Sequence, residues 1–340
     1  MKKLITVLLT ATLLIACSAY ADTFDDAVKA YDSGKYAQAI KLFKPLALKG
    51  DAKAQFNLGL MYSKGEGVKQ DYVETAKWHK LAAEQGVASA QVNLGIMYSE
   101  GQGVAQDYVE AVRWYKLAVA QGDANAQNNL GTMYNDGKGV AQDYVEAVKW
   151  YKLAAAQGNA SAQYNLGVKY GNGQGVAQDY VEGVRWYKLA AAQGDASAQY
   201  NLGTMYNDGK GVAQDYAKAV RWYKLAAAQG NARVQFNLGF MYNKGQGVAQ
   251  DYVEAVRWYK LAAAQGYAKA QFNLGLMYGK GQGVAQDYVE AYMWFNLAAI
   301  TGNKGAVKSR DLAASGMTQQ QIAEAQKLAK ECLSRNYKGC

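Results

Sequence analysis

A single interval of 36 residues governs this chain. Counting from Gln55, it reaches Gln91, Gln127, Gln163, Gln199, Gln235 and Gln271, and it passes through all seven tryptophans, Trp78, Trp114, Trp150, Trp186, Trp222, Trp258 and Trp294. The same spacing accounts for 28 of the 36 glycines. A fixed period of a few tens of residues marks a solenoid, in which one small supersecondary unit cannot bury its apolar face alone and stacks on copies of itself. Such arrays usually work by presenting a long surface, so an enzyme site in one needs its own evidence.

In the first full unit, residues 51–86, Asp51 is placed to cap a helix from Ala52 to about Ser63 that carries Leu58, Met61 and Tyr62. Gly59 sits mid-helix, where it costs about 1 kcal/mol against alanine. The expected gain is a close approach by the second helix. Gly65-x-Gly67-Val68 predicts a turn needing positive φ, with Val68 plugging the gap beneath it. Asp71 and Glu74 have the spacing of a capping box for the second helix, which carries Ala76, Trp78, Leu81 and Ala82 inward and stops at Gly86. Asp123, Asn159, Asp195 and Asn231 each follow the corresponding glycine and are placed to cap the next repeat.

Seven such units fill residues 51–302, and the lone proline, Pro45, lies outside them. Residues 22–50 read as a shorter helical hairpin with Ala27, Tyr31, Tyr36, Ala39 and Phe43 on one face. Residues 303–340 read as a closing helix pair, the second starting near Thr318 and carrying Ile322, Ala325, Leu328 and Ala329. Terminal caps of this kind shield a repeat face that would otherwise be sticky. The fold class is an all-α solenoid of helix-turn-helix repeats. Repeat four departs from its neighbours, with Lys169 in place of methionine and Gly183 in place of the alanine found at Ala111 and Ala147, which predicts a local hinge.

The first residues read as an export signal, so the chain is expected outside the cytoplasm. Lys2 and Lys3 precede an apolar run from Leu4 to Ala16 and then Ala19-Tyr20-Ala21, the pattern of an export signal over residues 1–21. The run is too short to span a bilayer as a stable anchor. Cleavage after Ala21 gives a periplasmic or secreted protein. Leu14-Ile15-Ala16-Cys17 also has the form of a bacterial lipobox, which would leave the protein lipid-anchored through Cys17 and is the one route to a membrane. After Ala21, Cys332 and Cys340 remain, and a pair in an oxidising compartment reads as a disulfide, the alternative being two free thiols. Closing so short a loop is worth roughly 2–3 kcal/mol. Losing Lys2 and Lys3 takes the formal charge of +9 down to +7, spread along the array. For an exported chain this points to an acidic protein or envelope polymer rather than to nucleic acid.

Leu58-Gly59, Tyr62, Gly65-x-Gly67-Val68, Asp71, Ala76, Trp78, Ala82-Ala83 and Gly86 resemble the Sel-one-like repeat (SLR), a relative of the tetratricopeptide repeat, over seven successive units. The resemblance implies a right-handed superhelix of antiparallel helix pairs whose first helices line a concave groove. It also implies an adaptor for protein assembly, signalling or host contact. Some secreted members bind β-lactams or cell-wall fragments, and those carry a cysteine pair in each repeat, which this chain lacks.

The candidates for chemistry have plainer readings. His79 is the only histidine, at a position held elsewhere by Tyr115, Tyr151, Tyr187, Tyr223, Tyr259 and Phe295, so it reads as a packing residue. Without a second histidine or paired thiols in the array, zinc chemistry lacks ligands, and a serine–histidine–aspartate triad would need that same residue. Gln70 stands where a third glycine of a nucleotide fingerprint would fall, and no Lys-Ser/Thr pair follows. The pairs Asp71/Glu74, Asp107/Glu110 and Asp143/Glu146 recur as capping does, not as a catalytic pair would. The tryptophans at helical period read as core rather than as base-stacking platforms. No cofactor or metal is expected.

What varies between repeats carries the signal. Position 56 and its equivalents read Phe56, Val92, Asn128, Tyr164, Tyr200, Phe236 and Phe272, and position 60 reads Leu60, Ile96, Thr132, Val168, Thr204, Phe240 and Leu276. Position 64 reads Lys64, Glu100, Asp136, Asn172, Asp208, Lys244 and Lys280, while position 53 runs from Lys53 to Arg233 and Lys269. Spacings of three, four and four put all of these on one stripe of the first helix. Its early part is polar and acidic. Its C-terminal part is basic and aromatic, and an acidic extended peptide suits it. Neutral drift on a solvated face is the alternative. The expected function is therefore non-enzymatic protein or peptide binding in the cell envelope or outside the cell, with binding or hydrolysis of β-lactams or peptidoglycan fragments as the second hypothesis.

Overall fold

Asp51 opens the first repeat by accepting the backbone N–H of Ala54 on its side chain, and Gly65 closes the helix in the left-handed conformation. That pattern of cap, helix and glycine stop recurs, with the side-chain cap missing at Val87 and Tyr267, along a computed structural model that describes residues 23–302 and 304–340. Among these residues there are eighteen helices and no strand. The export signal and the lipobox expected over residues 1–21 lie outside the described residues. No helix among those described is long and apolar enough to cross a membrane.

A hairpin of α1 (23–32) and α2 (Tyr36–Leu48) precedes the array. The repeats contribute α3 (Ala52–Lys64) and α4 (Tyr72–Glu84), α5 (Ala88–Glu100) and α6 (Tyr108–Val119), α7 (Ala124–Asp136) and α8 (Tyr144–Ala156), then α9 (Ala160–Asn172) and α10 (Tyr180–Ala192). They continue with α11 (Ala196–Asp208) and α12 (Tyr216–Ala228), α13 (Ala232–Lys244) and α14 (Tyr252–Ala263), and α15 (Ala268–Lys280) and α16 (Tyr288–Ala299). A pair of α17 (Lys304–Ala314) and α18 (Gln319–Ser334) closes the chain. Two compact units result, one of residues up to 162 with 174–176, the other of 163–173 and 177 onward. The break falls inside repeat four, the repeat that carries Lys169 and Gly183.

In the first unit, α3 packs on α4, α5 on α6 and α7 on α8, while α2–α3, α4–α5 and α6–α7 form the seams between repeats. The mid-helix glycines explain the first contact. A Cβ on Gly95 would lie 2.5 Å from Tyr115 Cε1, and one on Gly59 would lie 2.7 Å from His79 Nδ1. The second-helix ring lies directly on the first-helix backbone, and dispersion across that contact offsets the helix-propensity cost. The turn glycines build the seam. Gly67 has φ +74°, and a Cβ there would sit 2.6 Å from the carbonyl carbon of Tyr36 in the preceding hairpin. Gly103 meets the Tyr72 backbone and Gly139 the Tyr108 backbone in the same way. Positive φ and close backbone approach thus coincide at one residue.

Buried glutamines tie the seam further. Gln55 donates to the Ala47 carbonyl at 3.0 Å and accepts from Gln85 at 2.8 Å. Gln91 repeats this with Ala83. Each satisfies a last-turn carbonyl of the preceding helix, which has no partner within its own helix.

Two expectations need correcting. Asp71 caps α4 through the N–H groups of Val73 and Glu74, but the reciprocal half of a capping box is absent. The Glu74 carboxylate instead accepts Trp78 Nε1 at 3.0 Å and pairs with Lys77 at 3.2 Å. Leu81, expected inward, is exposed, and the inward set is Thr75, Ala76, Trp78, His79, Ala82 and Ala83. A leucine three residues after Trp78 falls just off the buried arc, and the ring at position 79 fills it instead.

The second unit uses the same devices: Gly167 faces Tyr187, Gly203 faces Tyr223, Gly239 faces Tyr259 and Gly275 faces Phe295. Its C-terminal cap packs α17 and α18 on α16. Thr318 and Gln321 form a full capping box at the start of α18, whose Ala325, Ala329 and Cys332 are buried. Cys332 and Cys340 are joined by a disulfide, with Cα atoms 5.5 Å apart. Within that loop Tyr337 takes a left-handed φ of 63° and lays its ring over Gly266.

Candidate functional site

The stripe marked by repeat-to-repeat variation lies on the first helices. In the first unit Lys53 and Lys64 are exposed, Phe56 and Leu60 half-buried. Phe56 is not free-standing, because its ring centroid lies 5.4 Å from that of His79. Lys64 is taken up locally by Glu66 at 3.8 Å and by the Tyr31 hydroxyl at 2.9 Å. Asn128 hydrogen-bonds Asn129, and Asp136 is neutralised by Lys138 at 3.1 Å. The Thr132 hydroxyl lies 3.2 Å from that of Tyr151, whose ionisation burial pushes up to about 12.

The second unit begins in the same manner. Tyr164 packs on Tyr187 and Tyr200 on Tyr223. The Thr204 and Tyr223 hydroxyls are 3.1 Å apart, and Asp208 pairs with Lys210 at 3.7 Å. Position 56 and its equivalents thus serve largely to cover the second-helix ring, and the two threonines serve the buried phenols. Sequence periodicity shows that these residues share a face but does not show which of them are already used.

Repeats six and seven differ. Phe236 and Phe272 still cover Tyr259 and Phe295. Phe240, standing where repeat five has threonine, is 38% exposed with Lys244 Nζ 5.8 Å from its ring centre. The Tyr259 hydroxyl is buried without a hydrogen-bond partner. Burial pushes its ionisation up, and the nearby Asn243 and Asn273 amides oppose the push without reaching hydrogen-bond geometry. Arg233 lies over the Tyr200 ring at 5.4 Å, and Lys269 is exposed on α15.

Lys244 and Lys280 line one cavity of about 290 Å³ together with Phe240, Asn243, Asn273 and Gln282. Two residues on, where repeats three and five place Lys138 and Lys210, the chain has Gln246 and Gln282. No acidic side chain pairs with either lysine among the described residues. Consecutive repeats elsewhere in the series place at least one acid or asparagine at this position, so Lys244 and Lys280 are the one successive pair of cations in it. Two uncompensated ammonium groups beside side-chain amides can hold a carboxylate, each contact being charge-assisted.

His79 is 1% exposed, its Nδ1 faces Gly59 without a hydrogen-bond partner, and desolvation pushes its pKa down to about 4. It is a neutral packing ring at pH 7. Of the tryptophans expected in the core, Trp78, Trp114 and Trp294 are buried, whereas Trp150, Trp186, Trp222 and Trp258 are half-buried. Arg113, Lys149, Arg185 and Arg257 lie over the faces of Trp114, Trp150, Trp186 and Trp258.

Comparison with known proteins gives one consistent result. The family model described as the Sel1 repeat matches residues 52–87, 88–123, 124–159, 160–195, 196–231, 232–267 and 268–303. Among solved structures, a Sel1 repeat protein from Oxalobacter formigenes is 38% identical, with a TM-score of 0.67 over 71% of this chain and 98% of that one. A protective antigen present in uropathogenic Escherichia coli strains, displaying an SLR fold, is 32% identical over 95% of this chain and 85% of that one, with a TM-score of 0.48. No curated protein matches.

Proposed function

Because the chain belongs to the Sel1 repeat family, a family of scaffolds that typically mediate protein–protein interaction, we propose that it is a non-catalytic binding module that docks an acidic, extended protein segment on the first-helix face of its second unit. The observation that supports this most is the change along position 64 and its equivalents. Acids matched by their own lysines at Asp136 and Asp208 give way to unmatched Lys244 and Lys280, while the scaffold positions stay the same. Charge complementarity of this kind sets partner choice and association rate. The leader-like pattern over residues 1–21 supports action in the periplasm or outside the cell, and the mass of the mature N-terminus decides between cleavage after Ala21 and a lipidated Cys17.

The test is a crosslinked pull-down from cell-envelope and culture fractions. Wild-type protein is compared with a Phe240→Ala/Lys244→Glu/Lys280→Glu variant whose circular dichroism is unchanged. A partner held by the wild type and lost by the folded variant supports the reading. A partner held equally by both moves the site off this face, and hydrolysis of nitrocefin by purified protein overturns the non-catalytic assignment.

A further inference from the structure

Beside the lysine cavity lies a second one, and the two share Leu276 and Lys280. It measures about 420 Å³, and its walls are mainly carbon: Leu276 of α15, Ala291 and Phe295 of α16, and Leu312 and Ala313 of α17. Leu312 stands on its rim 75% exposed. A helix that merely closed the array would turn such a side chain inward or replace it with a polar one. Asp311, the acid next to it, is held by Arg310 at 2.7 Å and leaves the lysine pair uncompensated.

We infer that the second unit reads its acidic partner as a pair of side chains: an internal Asp or Glu between Lys244 and Lys280, and a large apolar residue two positions away in the cavity walled by α17. This rests on the acidic-partner reading above and gives it a sequence rule. In an extended peptide, residues i and i+2 project to the same side roughly 6.6 Å apart. Two cavities that share a leucine and a lysine suit that spacing. The Asn243, Asn273 and Gln282 amides around the polar cavity are donors and acceptors for a peptide backbone, for which a free fatty acid has no use. The C-terminal cap is thereby part of the binding site.

Fluorescence anisotropy on the full chain tests this with short peptides blocked at both ends, in a neutral polar background, carrying Asp-x-Leu or Leu-x-Asp. The better of the two is expected to bind about tenfold more tightly than its Asn-for-Asp and Ser-for-Leu counterparts, and to weaken as salt rises. Leu312→Ser should erase the leucine preference and keep the aspartate preference. Lys244→Ala/Lys280→Ala should do the reverse. The three protein residues changed here, Lys244, Lys280 and Leu312, lie at the surface, so folded variants are expected and are checked by circular dichroism.

If acidic peptides bind and need the lysines, but neither Leu312→Ser nor the loss of the peptide leucine matters, the pair rule falls and the acidic-partner reading stands. Binding indifferent to both lysines overturns both. A preference for a free C-terminal carboxylate over the blocked peptides, or displacement of the peptide by dodecanoate more readily than by unlabelled peptide, overturns the internal pair in favour of a terminal acid or a fatty acid. Absence of any peptide binding overturns the pair rule, and the reading above then stands or falls on the pull-down.

Discussion

Gln121 donates through Nε2 to the side-chain oxygen of Gln91 at 2.8 Å across thirty residues of chain. Gln91 in turn donates to the Ala83 carbonyl at 3.0 Å, so one buried amide serves its own repeat and the one before it. Gln91→Met keeps the length and removes both hydrogen bonds, leaving the Gln121 amide without its acceptor and the Ala83 carbonyl with only the Gly86 N–H at 3.0 Å. We expect a loss of about 1–3 kcal/mol in urea unfolding, with hydrogen exchange at the end of α4 accelerating first.

Two glycine-to-alanine changes should act in opposite directions. At Gly95 a Cβ meets the Tyr115 ring at 2.5 Å, and neither ring nor backbone can yield without opening the core. We expect Gly95→Ala to destabilise by about 1–3 kcal/mol despite its better helix propensity. At Gly183 the nearest contact of a Cβ is the Gly167 carbonyl at 3.2 Å, and the equivalent Ala111, Ala147, Ala219 and Ala255 fit fully buried. Gly183→Ala should therefore stabilise by about 0.5–1 kcal/mol and slow amide exchange in repeat four. Exchange there that already matches its neighbours in the wild type would remove the expected hinge.

His79 should make the first unit sensitive to mild acid. Its folded pKa of about 4 lies below the ordinary value near 6.5. The unfolded chain therefore binds the proton first as pH falls. The stability contributed by the neutral ring is present above pH 6.5 and declines towards pH 4, by roughly 3 kcal/mol in all. His79→Phe, which matches Phe295, should flatten the stability difference between pH 7 and pH 4.5 relative to the wild type. An unchanged profile would mean that the imidazole is hydrated.

Thr132 and Tyr151 share a hydroxyl contact of 3.2 Å. Thr132→Val leaves the buried phenol alone and should cost about 1–2 kcal/mol, whereas adding Tyr151→Phe should recover much of that loss. A double-mutant cycle showing simple additivity would mean that the two hydroxyls are not coupled in solution.

Helix bounds and most caps within the repeats are legible from the 36-residue period, because caps and glycine stops are local, and the closing pair is legible from the apolar spacing after Thr318. Seam chemistry was half legible. The period exposed Gln55 and Gly67 as fixed, but their partners, Ala47 and Tyr36, belong to the preceding unit and are invisible to spacing within one repeat. Glu74 was assigned to a capping box because the spacing fits, but Trp78 competes for the same carboxylate. The variable stripe located a face. It did not separate residues already engaged, such as Thr204, from those with no acidic partner among the described residues, such as Lys244. Leu312 was missed altogether, since its place depends on how α17 packs on α16 rather than on any repeat.

The contact of each turn glycine with the backbone of the repeat before it also sets how such a gene can change length. Recombination that adds or removes one whole 36-residue block returns a Gly103-like residue to a Tyr72-like neighbour and restores every junction, wherever within the repeat the crossover falls. Loss of a single codon shifts both the glycine and the glutamine out of register at once. Copy number in this array is therefore free to drift in whole steps and barred from fractional ones, and the spacing between binding positions changes only in units of one repeat.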